Sequence, residues 1–301
     1  MKNLEYHNPV LLKETVDGLN IKPNGVYVDV TFGGGGHSRE ILSRLNENGK
    51  LFAFDQDPDA KQNKIDDKRF TLIPENFKFL RQFLRFYGCK KVDGVLGDFG
   101  VSSHQFDVAE RGFSTRFDSK LDMRMNQKEK LSAYEVINTY SEEQLRSVFY
   151  QYGELKNSPK LARVIVEERS ERPIETGDQL KELLMPHLFK YREFKILAQI
   201  YQAIRIEVNQ EIEVLKDFLQ QTEQVLEKGG RISLISYHSL EDRLVKRYIR
   251  NGLFEGEPEK DVFGRVEVPF KKVGKLIVPK EQEIKQNNRA RSAKLRIGER
   301  I

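Results

Sequence analysis

Between residues 25 and 100 the chain alternates two kinds of apolar pattern. Short runs rich in β-branched and aromatic residues, "GVYVDVTF", "GKLFAFDQD", "FTLIPEN" and "VDGVLGDFGV", read as strands. Between them, "HSREILSRL" and "FKFLRQFLRFYG" space their apolar residues as helices do, with Ile41, Leu42 and Leu45 on one face. Strand–helix alternation with apolar strands predicts a parallel sheet covered on both faces.

From about residue 106 to 208 the strand pattern stops and helix starts take its place. Ser141 with Gln144, and Thr176 with Gln179, have capping-box spacing. Ser158 stands where a cap belongs, with Pro159 at the first helical position. The segment "REFKILAQIYQAIRIEVNQEIEVLKDFLQQTEQVLEKGG" keeps helical spacing through Phe194, Leu197, Ile204, Val208, Ile212 and Leu215, and Gly229 and Gly230 predict its end. Strands resume with "RISLISY" and, more weakly, "GKLIVP". The pattern therefore predicts an α/β domain, 1–105 and 209–301, carrying an inserted helical domain, 106–208.

The single cysteine, Cys89, excludes an internal disulfide and fits a reducing cytosolic compartment. Neither a signal peptide nor an uncharged run of the ~18 residues a membrane span needs is present, so a cytoplasmic location without membrane attachment is expected. Net charge is +5, yet Lys271–Ile301 holds ten Lys/Arg against three Asp/Glu, so the entire excess lies in this tail. Phosphate contact and a merely solvated basic terminus both fit such a patch.

The first strand runs into four glycines, Gly33–Gly36, and then into a helix, an arrangement that brings backbone N–H groups close to a ligand. A dinucleotide fingerprint needs a third glycine where Ser38 or Arg39 stands, and a P-loop needs Lys-Ser/Thr after the glycines. Both departures leave S-adenosylmethionine as the better-fitting cofactor class. Asp29, before the glycines, stands where a carboxylate can face a ligand's ammonium group. Asp55 follows Gly33 by 22 residues, near the offset of a ribose-binding acid, while Asp57 before Pro58 suits a helix cap. Asp98 ends the fourth strand, where open α/β sheets bind ligands.

Within "SYHSLEDR", His238, Ser239 and Asp242 are too close in one turn for a hydrolase triad. One histidine without cysteine is a poor metal set, so no metal is expected. Ser239 as a helix cap with Asp242 at the third position, and His238 and Ser239 facing substrate, is the favoured alternative. In the tail, period-two alternation from Arg289 through Arg291 to Arg296 predicts a strand whose cationic side, with Lys294, contacts phosphate.

Taken in order, "YHNPVLLKE", "DVTFGGGGHSREIL", "FDQDP", "DFGVSSHQFD", "RGFS", "LDMRM", "YQAIRIEVNQEI", "ISYHSLEDRLVK" and "NNRARSAKLRIGER" give the chain its family resemblance. Over essentially its full length it resembles the S-adenosylmethionine-dependent methyltransferases that modify the N4 position of a cytidine in 16S ribosomal RNA. The resemblance implies a Rossmann-like class I methyltransferase sheet with an inserted all-helical domain for substrate recognition. It implies that Gly35, Gly36 and His37 line the methionine end of the cofactor, that Asp55 binds the ribose, and that Phe77 lies against adenine. Asp98 and Gln105 would complete that pocket. The implied target is a cytidine of the decoding centre, at the P site, within the small subunit, and oligomeric state stays open between monomer and homodimer. Amino-directed DNA methyltransferases carry Asp/Asn-Pro-Pro-aromatic after the fourth strand, whereas this chain has "DFGV", so their base-holding geometry does not transfer.

A cytosine N4 amine is a weak nucleophile, so the enzyme must align it and offer its hydrogens an acceptor. Asp98 is the first candidate and the Phe99 carbonyl the second. Phe99, Phe113 and Tyr237 are candidate platforms for an extruded base. The helical insert, with Arg111, Arg116 and Arg124 in its leading loop, is the candidate for RNA shape recognition. A dehydrogenase and a non-enzymatic RNA-binding factor are the competing classes.

Overall fold

The computed structural model describes residues 9–264 and 266–301, with Ser103 as backbone only. The first three residues of "YHNPVLLKE" lie outside the described residues. The chain divides into two compact units, one running to Gly100 and resuming at Ile212–Ile301, the other Val101–Glu211.

The first unit is built on seven strands: β1 (Val26–Asp29), β2 (Lys50–Phe54), β3 (Phe70–Ile73), β4 (Val92–Asp98), β5 (Leu226–Ser236), β6 (Phe270–Ile277) and β7 (Lys294–Arg300). They form one sheet in the order β3-β2-β1-β4-β5-β7-β6. β1 to β5 are parallel, and β7 runs antiparallel to both β5 and β6. Side-chain alternation along the strands feeds the two faces separately. Val28, Phe52, Phe54 and Val95 pack with Leu80, Leu84, Leu215 and Phe218 on one face. Tyr27, Leu51, Ala53 and Leu96 pack with Val16, Ile41 and Leu42 on the other. Strand order reverses between β1 and β4, and ligand sites of open α/β sheets lie at the carboxyl ends beside such a switch point.

The second unit is helical; its core gathers Val136, Ile137, Leu145, Leu161, Leu180, Ile200 and Ile204. Both expected capping boxes are formed, Ser141 with Gln144 and Thr176 with Gln179. The helix expected at Ser158 starts there, with Asn157 in the cap position. The boundaries between units fall at 100/101 and 211/212 rather than 105/106 and 208/209. Val101 and Phe106 pack on the helical core, which assigns the strand-exit segment to that unit.

Three expected elements are corrected. The long helix is two, Glu193–Asn209 and Glu211–Val225, separated by Gln210 in the left-handed region at φ 52. Asn209 anchors the break, donating to Met123 O at 2.8 Å and accepting from Met125 N at 2.8 Å, and Arg205 grips Glu211 across it. Gly229 and Gly230 do not stop this helix. They sit inside β5, where the register with β4 slips between Val92 and Gly94, so the glycines mark a bulge. The last strand starts at Lys294; Arg289 and Arg291 belong to a 3-10 turn, Asn288–Ser292.

Candidate active site

The loop after β1 is shaped by two close approaches. Gly35 has φ 77 and caps the helix Gly36–Ser43 without any side-chain bond. A Cβ on Gly36 would come within 2.1 Å of Pro9 Cγ, so the N-terminal segment itself demands glycine there. At Gly33 a Cβ would meet nothing within 4 Å, leaving open space beside the backbone. His37 is buried next along this helix, its Nε2 3.2 Å from Val10 O.

Asp29 lies inside the fold. It is fully buried and braces the loop, accepting from Thr31 N at 3.1 Å and Ser38 Oγ at 2.7 Å. Asp55 is the carboxylate at the rim. Its oxygens accept from Gly33 N at 2.7 Å and Asp57 N at 2.9 Å, tying the glycine loop to the end of β2. Burial pushes Asp55 up to about 6 against the pull of these N–H donors. Asp57 caps the 3-10 turn Pro58–Asn63, as expected from its place before Pro58. Asn63, at the end of that turn, donates to Gly33 O at 3.0 Å.

Asp98 ends β4 beside this loop. Its N–H donates to Thr31 Oγ1 at 2.7 Å, and the Phe99 N–H donates to Ile235 O at 3.0 Å. Burial pushes Asp98 up to about 6; the nearby His37 and a hydrogen bond from Tyr237 oppose the shift, while Asp29 and Glu241 add to it. Asp98 Oδ1 is buried and has no hydrogen-bond partner among the described residues. Burial and the Asp98 charge hold the Tyr237 phenol well above its ordinary value, so it stays a donor. Phe77 packs on Phe99 and Phe218 at centroid distances of 5.9 and 5.3 Å, offering an aromatic wall by the β4 edge.

The cap of the helix Ser239–Asn251 falls one residue earlier than expected. His238 is the cap and Glu241 its partner: Glu241 N donates to His238 Nδ1 at 3.4 Å, and Tyr237 N donates to Glu241 Oε2 at 3.0 Å. Ser239 is the exposed first helical residue. Freed from capping, Asp242 accepts from Arg296 Nε at 2.7 Å and Lys294 Nζ at 3.4 Å. Burial would raise Asp242, but the Arg296 hydrogen bond and the two cations hold it below its ordinary value.

The structure thus gathers Gly35, Gly36, His37, Asp55, Phe77 and Asp98 after the carboxyl ends of β1, β2, β3 and β4, within one unit. Gln105 stands in the helical unit, where its side chain accepts from Ser102 N at 3.1 Å and completes a capping box. Two of the candidate base platforms are core: Phe99 and Phe113 are each 5% exposed. Arg111 is buried against the carbonyls of Arg124 and Met125, which takes it away from RNA, while the partly exposed Arg124 pairs with Asp122 at 2.7 Å. In the tail, Arg296 is committed to Asp242, Arg289 is half-buried, and Arg291 is exposed. Lys246, Arg250, Lys272 and Lys275 instead line a cleft of about 360 Å³ with no carboxylate in its lining among the described residues. Sequence reasoning missed Thr31 and Tyr237 as partners of Asp98, because nothing in their spacing marks a cross-strand hydrogen bond.

An acidic residue after β2, an open glycine turn, an aromatic wall and an orphaned buried carboxylate oxygen fit a nucleoside cofactor bearing a charged methionine end. The fold and site together define an S-adenosylmethionine-dependent methyltransferase. The model of the MraW methylase family matches residues 5–301, and this chain belongs to that family. Curated relatives named ribosomal RNA small subunit methyltransferase H are 74% identical over 298 residues in Christiangramia forsetii and 69% identical over 298 in Flavobacterium johnsoniae, each covering 99% of both chains. One from Bacteroides fragilis is 56% identical over 296 residues, covering 98% of this chain and 97% of its own. Among solved structures, an rRNA methylase from Streptococcus thermophilus is similar at a TM-score of 0.43 and 12% identity, over 96% of this chain and 95% of that one. Among the described residues no helix is long and apolar enough to cross a membrane.

Proposed function

We propose that the protein methylates the N4 amine of a cytidine in the decoding centre, at the P site, of 16S ribosomal RNA, acting in the cytoplasm on the small subunit. The names of its relatives and the family motifs support ribosomal RNA as substrate. The observation that carries the chemistry is Asp98, whose buried Oδ1 lacks a partner at the carboxyl edge of β4.

When bound, S-adenosylmethionine supplies an activated methyl group. Asp55 would hold the ribose hydroxyls, Phe77 the adenine, and Gly35, Gly36 and His37 the methionine end. Asp98 accepts a hydrogen bond from the N4 amine, drawing electron density onto nitrogen, and then takes the proton that nitrogen loses as its new bond to carbon forms. A carboxyl group at about 6 is ionised at neutral pH yet still basic enough for this task. Tyr237 holds the carboxylate in place; the Phe99 carbonyl is a second acceptor. His238 and Ser239 would face substrate from the end of β5. Arg291, with Arg289 and the cations of the cleft at β6, would contact phosphates.

The test is methyl transfer from labelled S-adenosylmethionine to small subunits lacking the modification, followed by nucleoside mass spectrometry. N4-methylcytidine is expected from the wild type. Asp98→Ala and Asp98→Asn should bind cofactor but lose turnover by at least about a hundredfold. Full turnover by Asp98→Ala would remove Asp98 from the chemistry, and a different methylated nucleoside would overturn the target.

A further inference from the structure

The helical unit buries most of its large apolar residues in one core, but a cluster of exposed rings runs from the end of the 3-10 turn Met185–His187 into the first turn of the helix Glu193–Asn209. In this stretch, "LFKYREFK", Phe189, Tyr191 and Phe194 are 64%, 91% and 74% exposed. Core packing does not require them there, because Ile196, Leu197 and Ile200 fill the buried face of the following helix. Aromatic side chains carry large apolar surfaces, and several exposed together mark an interaction site.

Charge identifies the occupant. Lys190, Arg192 and Lys195 alternate with the rings, and among the described residues none of the three has an ion-pair partner. Glu193 is the only acid in the stretch. A turn, closed by Arg192 N donating to Phe189 O at 3.1 Å with Tyr191 at φ 66, carries the rings and cations together at the surface. Flat apolar faces interleaved with unpaired cations complement a polyanion whose bases are unstacked.

We infer that residues 189–195 bind unpaired nucleotides of the RNA substrate, the three rings stacking on bases and the three cations meeting phosphates. This rests on ribosomal RNA being the substrate. It also replaces the RNA-contact role expected of Arg111, which is buried on backbone carbonyls.

The experiment uses the full-length protein and labelled RNA of one length, single- or double-stranded, with anisotropy read across a salt series. Phe189→Ser/Tyr191→Ser/Phe194→Ser should weaken single-strand binding more than about tenfold, leaving duplex binding and the salt slope unchanged. Lys190→Gln/Arg192→Gln/Lys195→Gln should lower the salt slope by about 2. Cofactor affinity, measured by calorimetry, should be unchanged in both and reports that the fold is intact. Wild-type single-strand affinity in the aromatic variant overturns the inference. So does a change confined to oligomeric state in sedimentation, which would make this face a contact between copies, or an absence of RNA binding by the wild type. If aromatic-dependent binding holds but no N4-methylcytidine forms, the proposed target reaction fails and this surface stands. If methyl transfer proceeds with unchanged KM in the aromatic variant, the reverse is true.

Discussion

Tyr237, one residue past the end of β5, donates its phenolic hydrogen to Asp98 at the end of the neighbouring β4. The bond stabilises the ionised carboxylate and so works against the burial that raises it to about 6. Tyr237→Phe removes the donor without changing shape. The Asp98 pKa should then rise further, and the acid limb of kcat should move to higher pH. A pH–rate profile identical to wild type would show that Tyr237 does not position this acceptor.

Asp55 should make cofactor affinity depend on pH. The ribose hydroxyls need the ionised carboxylate, which is lost as pH falls through about 6. Calorimetry should find the Kd constant above pH 7 and rising up to tenfold per unit below 6. Asp55→Ala should cost about 1.5–3 kcal/mol of binding at pH 7, because the charged acceptor also holds Gly33 N and Asp57 N. A Kd flat from pH 5 to 8 would exclude Asp55 as the ribose ligand.

Asp242 and Arg296 should govern stability with the opposite sign. Asp242 is depressed below its ordinary value of 3.8, so its contribution is present above that value and lost as pH falls through the folded-state pKa. Arg296→Ala leaves a largely buried carboxylate with Lys294 alone and should destabilise by about 3 kcal/mol at pH 7. Urea unfolding at pH 7 and pH 3 should show that difference shrinking in acid. Asp55 and Asp98, both raised, contribute stability that is full below about 4 and lost as pH rises through about 6.

Gly36→Ala should disturb the cofactor loop more than Gly33→Ala. The first puts a Cβ 2.1 Å from Pro9 Cγ and must displace the N-terminal segment; the second meets no atom and costs only the strain of φ 49, about 1–2 kcal/mol. The two are compared by cofactor Kd and Tm. Equal losses would mean that Pro9 yields freely.

Local chemistry was legible where residues act on their near neighbours. Ser141 and Thr176 cap as their spacing says because a capping box needs only four consecutive residues. The Gly33–Gly36 turn and the strands around it were legible for the same reason. The "SYHS" cap was misplaced because serine is the better cap by type, yet His238 takes the position with Glu241 beneath it. At Gly229 and Gly230, glycine signalled a break, but whether it ends a helix or bulges a strand depends on β4, more than 130 residues earlier in the chain.

The sequence by itself determined the α/β pattern with its helical insertion, the glycine loop, the acids that follow β2 and β4, and membership in the methylase family, because these rest on periodicity, turn chemistry and extended motifs. Only the tertiary structure decided which charges are available. Asp29 is spent bracing a loop, Arg296 neutralises Asp242, and Arg111 serves backbone carbonyls, whereas Asp98 keeps a buried oxygen free. The physical reason is that a charged side chain's role depends on its distance to partners and to water, and those distances are set by strands and helices far apart in the chain.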